Sequence, residues 1–506
     1  MNSQIHASLE RFVRRETDAG VLLGSVAADA GREAPTVVSF KGIPFAAPPT
    51  GRRRWRAPEP AARWTGERPA LAFGRDCPQA PDPQSRAPGM SEDCLFLNIW
   101  APADARPGSL PVMVWVHGGS FVSGSGSDRQ CDGAALAGRG VVVVTFNYRV
   151  GIFGFLAHPA LSDESPHAVS GNYGLLDQIA ALEWIQRNIS GFGGDPSAVT
   201  LFGVSAGASS ILLLLGTPLT DGLFQRVILQ SPGCGRSLAS LRDAESAGST
   251  VAPDLGSLRA GSSRELLALT ARLVPKRRSL TGARVLRPIR DGWLITENER
   301  STLRAGNLRA LPMLIGGNVD EGSMLTADWG IETVARYHQL LVNDFGADAV
   351  LMAGLYRAGR DDEVKRRVAE VFADTQFNYG VRLLARSWSR LGRPAWRYLF
   401  ARCRARRSDG PHHTDELPYV FDNLDAVPIV DPIDRAVSAA MTDAWVEFAR
   451  KGDPNRPGTP EWPSYDAGSD RYLEFGDSIA IGRAWRGEQL DFIDDYFERR
   501  DRRQEE

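Results

Sequence analysis

Residues 202–209 read FGVSAGAS, which sets Ser205 in a Gly-x-Ser-x-Gly frame between Gly203 and Gly207. A serine hydroxyl becomes a useful nucleophile when a base accepts its proton and an acid orients that base. In a chain with 51 glycines the frame alone is a weak signal. Its surroundings strengthen it: strand-like AVTLF precedes the frame and an apolar helix opens from Ala208. A strand–turn–helix of this kind holds a serine Oγ up on a strained turn, with glycines leaving room for close chain approach. The competing reading is a helix N-cap serine flanked by packing glycines.

A base and an acid must come from elsewhere in the chain, which has His6, His117, His158, His167, His338, His412 and His413. In α/β hydrolases the order is serine, acid, histidine, leaving His338, His412 and His413. His338 lies in the helical pattern VARYHQLL, whereas His412 and His413 occupy DGPHHTDELPYVF, a loop after strand-like AWRYLFAR. For the acid, LIGGNVDEGS puts Asp320 and Glu321 just past a strand end. Spacing chooses neither between the two acids nor between the two adjacent histidines. The remaining requirement is a set of backbone N–H donors for a tetrahedral oxyanion, and the glycine-rich VWVHGGSFVSGSG (114–126) is the candidate loop.

The elements around these loops read as α/β. PVMVWVHGG and GVVVVTFNYRVG are nearly continuous β-branched runs, the pattern of strands buried on both faces of a mostly parallel sheet. The segment 175–189 is helical, with Leu176, Ile179, Leu182 and Ile185 along one stripe. RVILQSPG and LPMLIGGNVDEGS read as further strands, and 332–390 and 434–451 as helices. In such sheets ligands bind beyond the carboxyl ends of the strands. Without internal repeats or a Pro/Ser linker, residues 1–506 read as one domain, with 1–19 and 497–506 as peripheral tails.

Composition narrows the function class. With 43% hydrophobic residues, 24% charged and a formal net charge of -2, the chain has the core of a globular protein and no basic stripe for nucleic acid or a membrane surface. Its longest aliphatic run, ILLLL (211–215), is far too short for a bilayer span. The amino-terminal stretch has no secretory pattern, so a cytoplasmic, soluble protein is expected. The 5 cysteines (Cys77, Cys94, Cys131, Cys234, Cys403) show no CxxC spacing, and no metal or cofactor is implied.

From about residue 20 to about 480 the chain resembles the type-B carboxylesterases, the α/β-hydrolase group of bacterial p-nitrobenzyl esterases, mammalian carboxylesterases and cholinesterases, with a weaker resemblance to fumonisin esterase. The strings that carry it are FKGIPFAAPP, SEDCLFLNIWAP, VHGGSF, FNYRVGIFGFL, GNYGLLDQIAALEWIQRNISGFGGDP, VTLFGVSAGASS, NVDEGS and HTDELPYVF. The resemblance implies an α/β-hydrolase fold with helical insertions and a serine hydrolase of small-molecule carboxylic esters. It implies Ser205 as nucleophile, Glu321 as acid and His413 as base, because the family histidine opens an H-x-x-E-x-P string. It further implies the N–H groups of Gly119, Ser120 and Ala206 as oxyanion donors, Gly118 as the residue shaping their loop, and Ser231 and Phe121 as supporting or pocket residues. Cys77 and Cys94 match a pair that is a disulfide in many relatives, a bond that a reducing cytoplasm disfavours.

Two positions depart from the pattern: Val204 stands where the family usually has glutamate, and Ser120 where it often has glycine. Val204 is expected to make the wall beside the nucleophile apolar, so neutral or acidic esters are expected over cationic ones. The segment between Cys77 and Cys94 also lacks the tryptophan that cholinesterases use for choline. A carbamate or amide hydrolase, or a biosynthetic acyltransferase or cyclase, would use the same triad, and a non-catalytic interaction protein of the same fold is the third class. A monomer or small homo-oligomer is expected.

Overall fold

Strands that are apolar on both faces need cover on both sides, and the valine-rich runs lie at the centre of one large sheet. The computed structural model describes residues 12–27, 37–251, 254–274, 279–403, 410–427 and 430–505. Its strands are β1 (Phe12–Thr17), β2 (Gly20–Ala27), β3 (Val37–Pro44), β4 (Glu67–Pro69), β5 (Phe96–Pro102), β6 (Leu110–Val116) and β7 (Val142–Phe146). They continue as β8 (Gly194–Val204), β9 (Arg226–Gln230), β10 (Met313–Asn318), β11 (Ala395–Phe400), β12 (Arg471–Phe475) and β13 (Ile479–Arg483). The order across the sheet is β1-β2-β3-β5-β7-β6-β8-β9-β10-β11-β12-β13, with β4 beside β2. From β7 to β12 neighbouring strands run parallel, and the flanking strands on the main path are antiparallel. This is the α/β-hydrolase fold expected from the sequence.

Successive side chains of a strand point to opposite faces, and the sheet therefore separates two cores. Val112, Val114 and Val116 of β6 pack into one, together with Leu201, Ile211 and Trp184. Met113 and Trp115 pack into the other, with Phe202, Val204, Phe421 and Trp445. A third cluster belongs to the helical excursion, where Tyr337, Phe372 and Tyr379 meet Ile493 and Phe497.

The helix Tyr173–Asn188 is buried on most sides, Asp177 and Gln178 included. Burial of Asp177 is compensated by Arg149, whose Nε and Nη2 donate to its two carboxylate oxygens at 2.8 and 2.7 Å. Such a two-pronged pair tethers the chain after β7 to this helix, and removing one partner would strand the other charge.

The described parts of the stretches read as tails are built into the fold. Residues 12–17 pair antiparallel with β2, Thr17 opposite Gly20. The helix Gly487–Glu505 buries Phe497 against Tyr379, ring centroids 5.2 Å apart. Residues 1–11 lie outside the described residues. No helix among the described residues is long and apolar enough to cross a membrane.

Candidate active site

The turn at Ser205 is fixed from both sides. β8 ends at Val204, the helix Ala206–Leu214 begins one residue later, and Ser205 between them has φ 55 and ψ -119. A non-glycine residue with positive φ is strained, and strain of this kind persists only where its surroundings impose it. Here the Ser205 N–H donates to the Gln230 carbonyl of β9 at 2.8 Å. On the helix side, a Cβ at Gly207 would lie 2.0 Å from the Val116 carbonyl oxygen, so only glycine lets the helix start this close to β6. The Ser205 side chain opens on a cleft, and its Oγ makes no hydrogen bond to a described residue.

Beside it, β10 ends at Asn318 and the chain turns back so that Glu321 is wholly buried. One oxygen of Glu321 accepts from Ser231 Oγ and from the Asn318 N–H, each at 2.6 Å. The other accepts from His413 Nδ1 in a very short hydrogen bond. Ser231 follows β9 as Ser205 follows its neighbour β8, which is why acid and nucleophile meet at one end of the sheet. His413 is itself buried, its ring 4.5 Å from that of Phe377, which lines the cleft with Ser205. The adjacent candidates form a second, outer pair, His412 Nε2 lying 3.4 Å from Asp320 Oδ2. His338 is on the exposed face of the helix Val334–Phe345.

The glycine loop after β6 passes directly over the serine. A Cβ at Gly118 would come within 3.3 Å of the Ser205 Cβ. Gly119, Ser120 and Phe121 all have positive φ, 107, 57 and 65, turning the backbone so that the Gly119 carbonyl accepts from Val122 and Ser123 at 3.0 Å each. The carbonyl of Gly119 is thereby occupied within its own loop. Ala206, the first residue of its helix, has an N–H with no intrahelical acceptor. His117 stacks on Tyr148 at 4.2 Å, and burial pushes its pKa down to about 4, so its neutral ring donates from Nδ1 to the Gly118 carbonyl at 2.9 Å. Tyr148 in turn donates to the His117 carbonyl at 2.9 Å.

Three features were not read from the sequence. Glu416, three residues after His413, is wholly buried and accepts from Gln230 Nε2 at 2.9 Å and Asn318 Nδ2 at 2.7 Å. Burial, and next the neighbouring Glu321 charge, push its pKa up to about 7. The H-x-x-E spacing was the available signal for it. His117 and Tyr148 form the stacked brace under the glycine loop, which no spacing announces. Third, the cleft is lined by Arg236, Arg284 and Arg287 and, among the described residues, by no carboxylate.

Val204 is not where the sequence reading puts it. Its side chain is 2% exposed within the second core and does not line the cleft, because the last strand residue points to the face opposite the nucleophile's opening. Phe121 does line the cleft. Cys77 and Cys94 are buried free thiols in hydrogen-bonding contact.

A family model described as the carboxylesterase family matches residues 13–493. The fumonisin B1 esterase of Sphingopyxis macrogoltabida is 44% identical over 457 residues, covering 88% of this chain and 84% of that protein. The para-nitrobenzyl esterase of Bacillus subtilis (strain 168) is 35% identical over 478 residues, covering 88% and 92%. The liver carboxylesterase of Sus scrofa is 32% identical over 536 residues, covering 95% and 92%.

Proposed function

Because the chain belongs to the carboxylesterase family and is a serine hydrolase of carboxylic esters, we propose that Ser205, Glu321 and His413 are its catalytic triad. The observation that carries this reading is the buried relay Ser231–Glu321–His413, whose histidine packs on Phe377 of the cleft that Ser205, held at positive φ, also lines. Ser205 Oγ attacks the ester carbonyl while His413 Nε2 takes its proton, and Glu321 holds the Nδ1–H tautomer and stabilises the imidazolium. The N–H groups of Gly119, Ser120 and Ala206 receive the developing oxyanion, and loss of one such donor costs about a hundred- to a thousandfold in rate. The alcohol leaves with the proton from His413. Water, activated by the same histidine, then releases the acid and frees Ser205.

The substrate is a small-molecule ester without a cationic group, a reading supported by the three cleft arginines. One catalytic domain comprises the whole chain and acts as a monomer or small homo-oligomer. The test is hydrolysis of a short 4-nitrophenyl ester by wild type and Ser205→Ala with water as the only acceptor. Stoichiometric acid and alcohol from wild type, and a loss of at least about a thousandfold in the variant, are expected. Undiminished turnover in the variant would refute the assignment.

A further inference from the structure

We propose that the cleft at Ser205 is built for an ester that carries an ionised carboxylate, with Arg287 as the residue that receives it. The proposal rests on Ser205 being the nucleophile.

Arg287 lines the same cleft as Ser205 and Ser120. Its guanidinium lies 5.3 Å from the ring centre of Phe121, the residue next to Ser120 in the glycine loop. Its Nε is buried with no hydrogen-bond partner, and no carboxylate among the described residues pairs with it. Glu299 is the acid whose charge acts on it, but the two form no ion pair: one Glu299 oxygen accepts from the Gly235 N–H at 2.6 Å, the other has no hydrogen-bond partner among the described residues, and burial raises its pKa. Burial likewise lowers that of Arg287. A half-buried guanidinium that faces a cleft with its Nε shut off from water and no ion pair has room for an anion, and such a charge in the cleft of a nucleophile marks a ligand site.

The surroundings of Arg287 are arranged for the same purpose. Arg284 is anchored to the Gln376 carboxamide oxygen, and the nitrogen of that carboxamide donates to the Leu280 carbonyl at 2.9 Å. Gln376 itself sits in the π-helical turn Asp374–Asn378 and lines the cleft, so the turn fixes where Arg284 stands. Arg236 completes a lining with three guanidinium groups and no acid. Guanidinium groups are planar forks that match a carboxylate in two-point fashion, whereas a neutral ester brings no anion to Arg287. The expected substrate is therefore an ester of a polycarboxylic acid, or of a carboxylate-bearing alcohol, whose charged end reaches Arg287 while its scissile carbonyl lies at Ser205.

The experiment compares matched esters: mono-4-nitrophenyl adipate against 4-nitrophenyl hexanoate, with the carboxylate on the acyl part, and 4-acetoxybenzoate against phenyl acetate, with it on the alcohol. In wild type at least one pair shows a tenfold or greater kcat/KM preference for the carboxylate member, carried mainly by KM and reduced by salt. In Arg287→Gln that preference falls at least tenfold, and Arg287→Lys recovers part of it. Preference for the neutral member in both pairs, or equal loss on both members in Arg287→Gln, overturns the proposal. Turnover that survives in Ser205→Ala overturns the triad reading instead. A second measurement needs no variant: adipate inhibits hexanoate-ester hydrolysis by wild type at least tenfold more strongly than 1,6-hexanediol, and equal inhibition overturns the proposal.

Discussion

Two acid–histidine pairs stand side by side, Asp320 with His412 and Glu321 with His413, and only their surroundings distinguish them. In the outer pair the side chains are 11% and 20% exposed, and the ring nitrogen lies 3.4 Å from the carboxylate. Asp320 is otherwise engaged in structure, its Oδ1 accepting the N–H groups of Gly322 and Ser323. In the inner pair the side chains are 0% and 6% exposed, and the carboxylate has donors on both oxygens. Asp320 and His412 form a bridge between their chain segments, so the next residue on each segment turns inward together. Chemistry of the same type at consecutive positions thus acquires two functions: one pair fastens two loops, the other orients a base.

The comparison predicts a steep asymmetry. His413→Ala is expected to lower kcat by about a thousandfold or more, and Glu321→Gln by a comparable factor, since each removes a member of one catalytic unit. Steady-state rates on a neutral 4-nitrophenyl ester measure this. If His412→Ala matched His413→Ala, the two pairs would have to exchange roles.

Glu416 sharpens the contrast through pH, because it lies against the inner pair. Its carboxyl holds a proton up to about pH 7, against an ordinary value of 4.5. Between those values the folded protein keeps a proton that the unfolded chain has released, so stability falls as pH rises through the window. The total loss is on the order of 3 kcal/mol. Denaturation curves from pH 5 to 8 should show wild type losing stability relative to Glu416→Gln. Parallel curves would mean that Glu416 is ionised throughout.

Smaller effects follow with distance from the proton path. Ser231→Ala removes one donor to Glu321 and is expected to lower kcat about tenfold, the low end for loss of an orienting hydrogen bond. His412→Asn and Asp320→Asn should change kcat less than about threefold and stability by about 1 kcal/mol or less, as for a partly exposed pair outside the proton path.

Much of this was legible in the sequence. The valine runs of β6 and β7 and the frame around Ser205 announce themselves because buried parallel strands and a tight strand–helix turn each demand particular residue types. The choice of Glu321 and His413 rests on the family resemblance, the histidine through its H-x-x-E-x-P string, since adjacent acids and adjacent histidines have no spacing to separate them. Val204 was misplaced because neighbours on a strand end face opposite sides, and a motif does not state which side is the cleft. The edge strand Phe12–Thr17 was missed because FVRRET is mostly polar and half-exposed, leaving little hydrophobic pattern. Arg236 and Arg287 come from distant segments that only the folded chain brings to one cleft.

The central claim, that Ser205 is the nucleophile oriented by the inner pair, is tested most directly by intact mass after treatment with a fluorophosphonate. Wild type should gain the mass of one phosphonyl group, located by peptide mapping on Ser205, while Ser205→Ala gains none. An adduct on any other residue, or one that forms equally in Ser205→Ala, would contradict the account.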